Sequence, residues 1–470
     1  MLQNSSPALI RHALALAVIV GLFSLIGHTP PAFARDGALL VNPRQQATPK
    51  PKPKQVETKK APAAAKPAAT TRKKATTTGK PARRKARARA RAPRETAPSG
   101  RPPVGETRFV ADEVIVRYRL SAAQPAMDAL VRRLNLRHIE ARTFALAGIT
   151  VHRYSIVDGT PVTTIIAALE ADTTVVYAQP NYLYELAQAA AAASGGPQYA
   201  LGKLAVDAAQ AVTTGKDVPV AVIDSAIDVT HPELEAASVE TADVTGNKPE
   251  PHQHGSTIAA LIASHGTLRG IAPDVKMIGI AAFDVDADSG AVNSSSWRVA
   301  AAIDHAHRWG ARLVNMSFAG PQDPLIARSV AGMGRRGMIA VAAAGNAGPD
   351  APPLFPAAYA GVIAVTATDR DDAVFARANR GDYVALAAPG VEILGIAPGG
   401  RYVVSSGTSL AAAHISGLAA LLLGRAKHLT ASALLDALTT SAHDLGDPGV
   451  DPVYGAGLPD AGSAVSRFGS

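Results

Sequence analysis

The chain has 470 residues, 47% of them apolar and 4% aromatic, with 40 Gly, 34 Pro and no Cys. That length allows two or three domains around at least one large core, and the lack of Cys excludes a disulfide framework, thiolate zinc sites, iron–sulfur clusters and a thiol nucleophile. The net charge of +9 is unevenly placed: residues 35–101 hold 20 Lys or Arg against three acids, so a strongly basic tail is joined to a mildly acidic body, with residues 102–470 at −9.

In chain order, Arg11 and His12 precede an apolar stretch from Ala13 to Ile26, and Ala32-Phe33-Ala34 makes a small-x-small cleavage site. This pattern predicts a secretory signal peptide over 1–34 and a secreted or periplasmic protein. An uncleaved membrane anchor is the alternative, although the stretch is shorter than the ~20 residues a bilayer span needs. Residues 35–106 read as a disordered Lys/Arg/Ala/Pro-rich tether. From Asn42 to Gly105 there is no aromatic residue, and such a segment buries too little apolar surface to offset its ordering entropy. Its densest run, Arg83-Arg84-Lys85-Ala86-Arg87-Ala88-Arg89-Ala90-Arg91, attracts anionic surfaces by counterion release. Without rings to stack bases it predicts no sequence-specific nucleic-acid reading. Anionic envelope polymers are the expected partners, and a plain solvated tether is the alternative.

Residues 107–187 alternate short strands with two helices: strands at 114–118, 149–156 and 174–177, helices at 126–134 and 162–170. That order suits a small α+β sandwich of the split βαβ kind. The Ala-rich stretch from Ala187 to Ser194 and Gly195-Gly196 reads as a flexible joint open to cutting, with a processing linker over 188–198. From 199 to 466, apolar strands at 218–223, 277–282, 313–316, 338–343 and 362–366 alternate with helical segments such as 297–309. The fold class is therefore α/β, a mostly parallel sheet covered by helices on both faces. In such sheets the chemistry sits beyond the carboxyl ends of the strands.

Four polar residues fall at such positions. Asp224 follows the strand Val218–Ile223, His254 opens an apolar helix, Asn346 ends Ala342-Ala343-Ala344-Gly345-Asn346, and Ser409 stands in Ser406-Gly407-Thr408-Ser409-Leu410-Ala411-Ala412-Ala413-His414. Each alone has an ordinary reading as a turn residue, helix cap or packed side chain. An α/β-hydrolase elbow is disfavoured, because Ala411 replaces the last glycine and only Asp436 and His443 follow the Ser.

Taken together, in this order and spacing, the four segments resemble the subtilisin-like serine peptidases over essentially all of 199–465. Supporting stretches are Thr230-His231-Pro232-Glu233-Leu234, Gly270-Ile271-Ala272-Pro273, Asn315-Met316-Ser317-Phe318-Ala319-Gly320, Leu386-Ala387-Ala388-Pro389-Gly390 and Tyr454-Gly455-Ala456-Gly457. The resemblance implies an endopeptidase with Ser409 as nucleophile, His254 as general base, Asp224 as the residue orienting the imidazole, and Asn346 as oxyanion donor. It further implies that Ser317, Phe318, Ala319, Gly320, Ala343, Ala344 and Gly345 line a channel for an extended polypeptide substrate, with Asp288–Val292 as a third edge. Phe318 and Ala319 are expected to narrow the channel beside the cut bond. Residues 107–187 resemble the family's propeptide, an intramolecular chaperone and inhibitor. His265 lacks the apolar helix that follows His254, His252 reads as a rim residue, and His414 as packing. Ala226, Ser256-Thr257, Ala319 and Ala413 depart from the family pattern without removing a catalytic heteroatom, which leaves an inactive, envelope-binding relative as the alternative. No cofactor is expected, no acidic cluster around Asp284, Asp286 and Asp288 matches a calcium loop, and the protein is expected to be a monomer.

Overall fold

The computed structural model describes residues 99–187, 189–190, 198–286 and 291–468. Residues 1–34, read as a signal peptide, and nearly all of the expected basic tether lie outside the described residues. The described chain begins at Ser99, eight residues before the expected boundary at 107. Ser99 Oγ and the Gly100 amide donate to the Glu170 carboxylate at 2.7 and 2.8 Å, and Arg101 joins it at 3.1 Å. A Cβ at Gly100 would come within 2.1 Å of the Ala178 carbonyl oxygen, so only glycine lets this segment lie flat. A Pro/Gly-rich composition hid this docking, because its partner is one carboxylate some 70 residues away.

The N-terminal domain is built from β1 (Phe109–Tyr118), α1 (Gln124–Arg133), β2 (Leu136–Phe144), β3 (Ile149–Ile156), α2 (Val162–Glu170) and β4 (Val175–Leu186). Its four strands run antiparallel in the order β2-β3-β1-β4. Side chains alternate across the sheet. Val114 and Val116 face α1 and α2, where Leu130, Ile165, Ile166 and Leu169 complete a small core. Ile115 and Val151 face the other way and join a core of the following domain.

That second domain begins, after the two-residue β5 (Ala189–Ala190), with α3 (Tyr199–Lys203) and α4 (Val206–Gln210). It continues through β6 (Pro219–Asp224), β7 (Ser238–Asp243), α5 (Gln253–Ala263), β8 (Lys276–Ala281), β9 (Asp284–Val285), β10 (Val292–Ser295) and α6 (Ser296–Trp309). Then come β11 (Leu313–Met316), β12 (Phe318–Ala319), α7 (Pro324–Arg335), β13 (Ile339–Ala343), β14 (Val362–Thr368), β15 (Val384–Pro389), β16 (Ile393–Ala397), β17 (Arg401–Ser406) and α8 (Thr408–Arg425). Seven strands form a wholly parallel sheet in the order β15-β14-β13-β11-β6-β8-β7. Both faces are covered, as parallel sheets require. Val220 and Val222 of β6 pack toward α5 and α8, whereas Ala221 and Ile223 pack toward α6 and α7. The apolar run 418–423 lies inside α8, which is long and apolar enough to span a bilayer by composition but is largely buried among the other elements.

The two domains share structure rather than merely touching. The open face of the N-terminal sheet lies on α6 and α7, with Phe144 edge-on to Trp297 at 5.3 Å. Asp304 of α6, 1% exposed, accepts the amides of Ala145 and Leu146 at 2.7 and 3.0 Å. Beyond this, β4 is three times the length predicted, 12 residues instead of the four at 174–177. Its second half leaves its own domain and pairs antiparallel with β10 and β12 of the next.

Asp304 concentrates a buried carboxylate on two amides, an arrangement in which each bond to a charged acceptor counts for more than a neutral one. Asp304→Ala is expected to speed hydrogen exchange of the Ala145 and Leu146 amides by roughly tenfold or more, while amides of β11 and β13 keep their rates. Unchanged exchange at 145 and 146 would mean the apolar face alone holds the hairpin.

Candidate active site

The parallel sheet brings its strand ends together along one edge, and the four polar residues singled out in the sequence gather there. Asp224 is the last residue of β6, fully buried. Its Oδ1 accepts the Ser225 amide at 2.7 Å, the Ser225 hydroxyl at 3.1 Å and His254 Nδ1 at 2.7 Å. His254 lies in the first turn of α5 and is 1% exposed. With Nδ1 engaged by the carboxylate, the tautomer is fixed and Nε2 is the atom left for chemistry. Nε2 is buried and has no hydrogen-bond partner among the described residues, and the same is true of Ser409 Oγ.

Ser409 lies in the first turn of α8, where amides have no acceptor within the helix. Its N–H donates instead to the carbonyl of Ala187 at 3.3 Å. Asn346, just beyond β13, is fixed by a relay: the Gly345 amide donates to Thr408 Oγ1 at 3.1 Å, and the Thr408 hydroxyl and amide donate to Asn346 Oδ1 at 2.9 and 3.1 Å. Its Nδ2 is thereby left free, buried and unpartnered among the described residues. Thr408 is a residue the sequence reading passed over. Its signal was adjacency to Ser409, which leaves its contact with Asn346, 62 positions away, invisible.

The chain itself occupies the cleft. Glu185 sits opposite Asn293 on one side and Ala319 on the other, Leu186 opposite Phe318, and Tyr184 opposite Ser294. The Ala187 amide donates to the Ser317 carbonyl at 3.2 Å. Beyond Gln188, which lies outside the described residues, Ala189 and Ala190 pair with Ser406 and Ser405. Thus the stretch read as a flexible joint from Ala187 includes a bound residue and a short strand. The backbone groups of Ala187, Ala189 and Ala190 find partners on Ser317, Ser409, Ser406 and Ser405, which outweighs the low ordering tendency of an Ala-rich segment.

Among the residues expected to line a channel, Ser317, Phe318 and Ala319 contact the strand, and Ser317 Oγ also donates to the Ser409 carbonyl at 3.0 Å. Gly320 borders the Tyr184 ring. Ala343, Ala344 and Gly345 are buried at the carboxyl end of β13. Of the third edge, residues 288–290 lie outside the described residues, while Val292 begins β10. Phe318 departs from expectation. It does not narrow the channel beside Ala187; its buried ring packs edge-on to Tyr184 at 5.8 Å and tilted on Phe283 at 5.0 Å. Residues alternate across the strand, so Phe318 shapes the pocket three residues upstream.

The other three histidines weighed in the sequence take other places. His265 faces Asp274 at 3.3 Å. His252, expected at the rim, caps α5 by accepting the His254 amide at 3.2 Å. His414 is buried in α8 against the Pro389 carbonyl at 2.7 Å. The departures from the family pattern also find places. Ala226 and Ala319, which stand where the family has glycine, adopt no positive φ, so glycine's freedom is not needed there; Ala413, in place of a proline, is buried within α8. The Thr257 hydroxyl donates to the Ile396 carbonyl at 2.7 Å, and Ser256 Oγ links the His252 carbonyl to the Asp228 amide.

Residues 215–457 match the subtilase family and residues 95–181 match the fervidolysin N-terminal prodomain. The chain belongs to the subtilase family. It is 30% identical to a thermophilic serine proteinase of Bacillus sp. (strain AK1) over 68% of this chain and 80% of that one. It is 32% identical to subtilisin E of Bacillus subtilis (strain 168) over 54% of this chain and 66% of the relative. Among solved structures it superposes on fervidolysin from Fervidobacterium pennivorans with a TM-score of 0.66 at 24% identity, covering 78% of this chain and 62% of that one. Subtilases are serine endopeptidases, and this chain carries the family's prodomain ahead of its peptidase domain.

His414 gives the subtilase domain a pH signature. Burial pushes its imidazole down to about 4, from an ordinary value of about 6.5. The folded state thus prefers the neutral ring, and its contribution is complete above pH ~6.5 and lost as pH falls toward ~4, roughly 3 kcal/mol in all. His414→Gln is expected to flatten stability against pH in that window in denaturant titrations. An unchanged slope would assign the acid sensitivity to other groups.

Proposed function

We propose that the chain is the precursor of an exported serine endopeptidase that cuts itself between Ala187 and Gln188. Ser409 Oγ attacks the carbonyl carbon while His254 Nε2 takes the hydroxyl proton. Asp224 keeps the imidazole in the required tautomer and stabilises the imidazolium that forms. Asn346 Nδ2 and the Ser409 amide receive the negative charge that develops on the carbonyl oxygen. Collapse of the tetrahedral intermediate breaks the C–N bond, and His254 hands its proton to the departing amine. Water then repeats the sequence on the acyl-enzyme, with His254 again as base.

The observation that carries this reading is the Ala187 carbonyl on the Ser409 amide at 3.3 Å, with the three reactive atoms buried and otherwise unpartnered around it. An oxyanion site is defined by donors aimed where charge develops, and a bound carbonyl marks that place. In the same reading residues 99–187 act first as a template and then as an inhibitor. After the cut, β4 still lies between β10 and β12 as a product strand. Polypeptides take its place in the mature enzyme, pairing along Asn293 and Ser317–Ala319. The signal-like residues 1–34 support export, and the basic segment that follows supports attachment to anionic envelope polymers.

Expressed precursor should shorten to a species beginning at Gln188, whereas Ser409→Ala should stay uncut at this bond. N-terminal sequencing of both reads the result. A Ser409→Ala chain that still yields a Gln188 terminus in a protease-free translation system would assign the cut to another agent.

A further inference from the structure

Catalysis at Ser409 makes no use of the pocket that holds Tyr184, and a buried carboxylate forms its floor. Counting back from the bond proposed to be cut, Ala187 is the first residue and Tyr184 the fourth. The Tyr184 side chain is fully buried. Its ring lies against Phe318 and over Gly320, where a Cβ would approach the ring to 2.4 Å. Its hydroxyl donates to Asp323 Oδ2 at 3.2 Å.

We infer that Asp323 is a specificity-determining residue that makes this peptidase favour tyrosine at the fourth residue before the cut bond. The inference rests on the peptidase reading above and adds the side chain it selects. An aromatic wall alone accepts Phe and Tyr about equally, since a pocket that only packs discriminates weakly. A buried acceptor changes this, because a phenyl ring would leave the carboxylate oxygen short of a donor where water has little access.

Asp323 is held where it can do this without help from the prodomain. Its Oδ1 caps α7 through the Leu325 and Ile326 amides at 2.8 and 3.2 Å. Its own amide donates to the Tyr359 hydroxyl at 2.8 Å, and that hydroxyl donates back to the Asp323 carbonyl at 2.9 Å. In the precursor, with the prodomain over it, it is 0% exposed, and burial raises its carboxyl above the ordinary range while Ser296, Gln179 and the two helix amides pull it back. Gln179 Nε2, at 2.9 Å from Oδ1, belongs to the prodomain and departs with it, together with Tyr184. The processed enzyme therefore keeps a fixed Oδ2 at the pocket floor without the donor it had in the precursor.

The test compares two peptides that copy residues 184–187 ahead of a chromogenic amine, Tyr-Glu-Leu-Ala and Phe-Glu-Leu-Ala, on the processed enzyme. The kcat/KM ratio of Tyr over Phe is expected to be about tenfold or greater, the scale of one hydrogen bond to a charged acceptor. In Asp323→Ser, which keeps a helix-capping oxygen but is too short to reach the phenol, the ratio should fall to about one to two. Using the ratio cancels any general loss of turnover or folding yield. A wild-type ratio near one, or a variant that keeps the wild-type ratio, overturns the inference. Cleavage of neither peptide by the wild-type enzyme overturns the peptidase reading beneath it.

Discussion

The Ala187 carbonyl rests on the Ser409 amide, and most of the architecture can be understood as what is needed to hold it there. Strand β4 has to serve two sheets at once. Its first half closes the N-terminal sheet beside β1, and its second half fills the gap between β10 and β12. A strand so placed has no freedom of register, since a slip of one residue would turn Tyr184 out of its pocket and Glu185 into it. The pocket around Tyr184 fixes that register directly, while Asp304 and the contact of Phe144 with Trp297 seat the sheet to which β4 belongs.

The four polar residues of the cleft depend on the same economy of placement. A parallel sheet delivers Asp224 and the segment before Asn346 to one edge, because every strand ends on the same side. Two helices then supply the remaining partners from their first turns, His254 from α5 and Ser409 from α8. Helix starts have spare amides, so the Ser409 N–H is available to the Ala187 carbonyl. The orienting contacts come from Ser225 for Asp224 and His252 for the His254 turn, both chain neighbours, and from Thr408, beside Ser409, for Asn346.

Legibility in the sequence followed burial. Strand β3 and helix α2 have the bounds expected, 149–156 and 162–170, because their apolar residues face a core and carry the period of the element. Strand β2 was missed: in Leu136–Phe144 only the two end residues are buried, so no alternation marks it. The length of β4 was missed for another reason. Pro180 reads as a breaker, yet it falls at a register shift opposite β1, where a proline is tolerated. Partners that extend this strand lie more than 100 residues away. In the site, Asp224, His254, Asn346 and Ser409 were visible as motifs. Asp323 was not, since Asp323-Pro324 before an apolar run signals only a helix start, and its contact with Tyr184 exists only in the folded chain.

The central claim is that Ser409 is a reactive nucleophile whose access is controlled by the strand lying over it. A fluorophosphonate probe applied during maturation, with the adduct located by tandem mass spectrometry and resolved by chain length, tests both halves together. The account predicts an adduct on Ser409 confined to chains cut after Ala187 and growing as the prodomain is lost. Absence of any adduct on Ser409 in the cut chain, or equal labelling of cut and uncut chains, would contradict it.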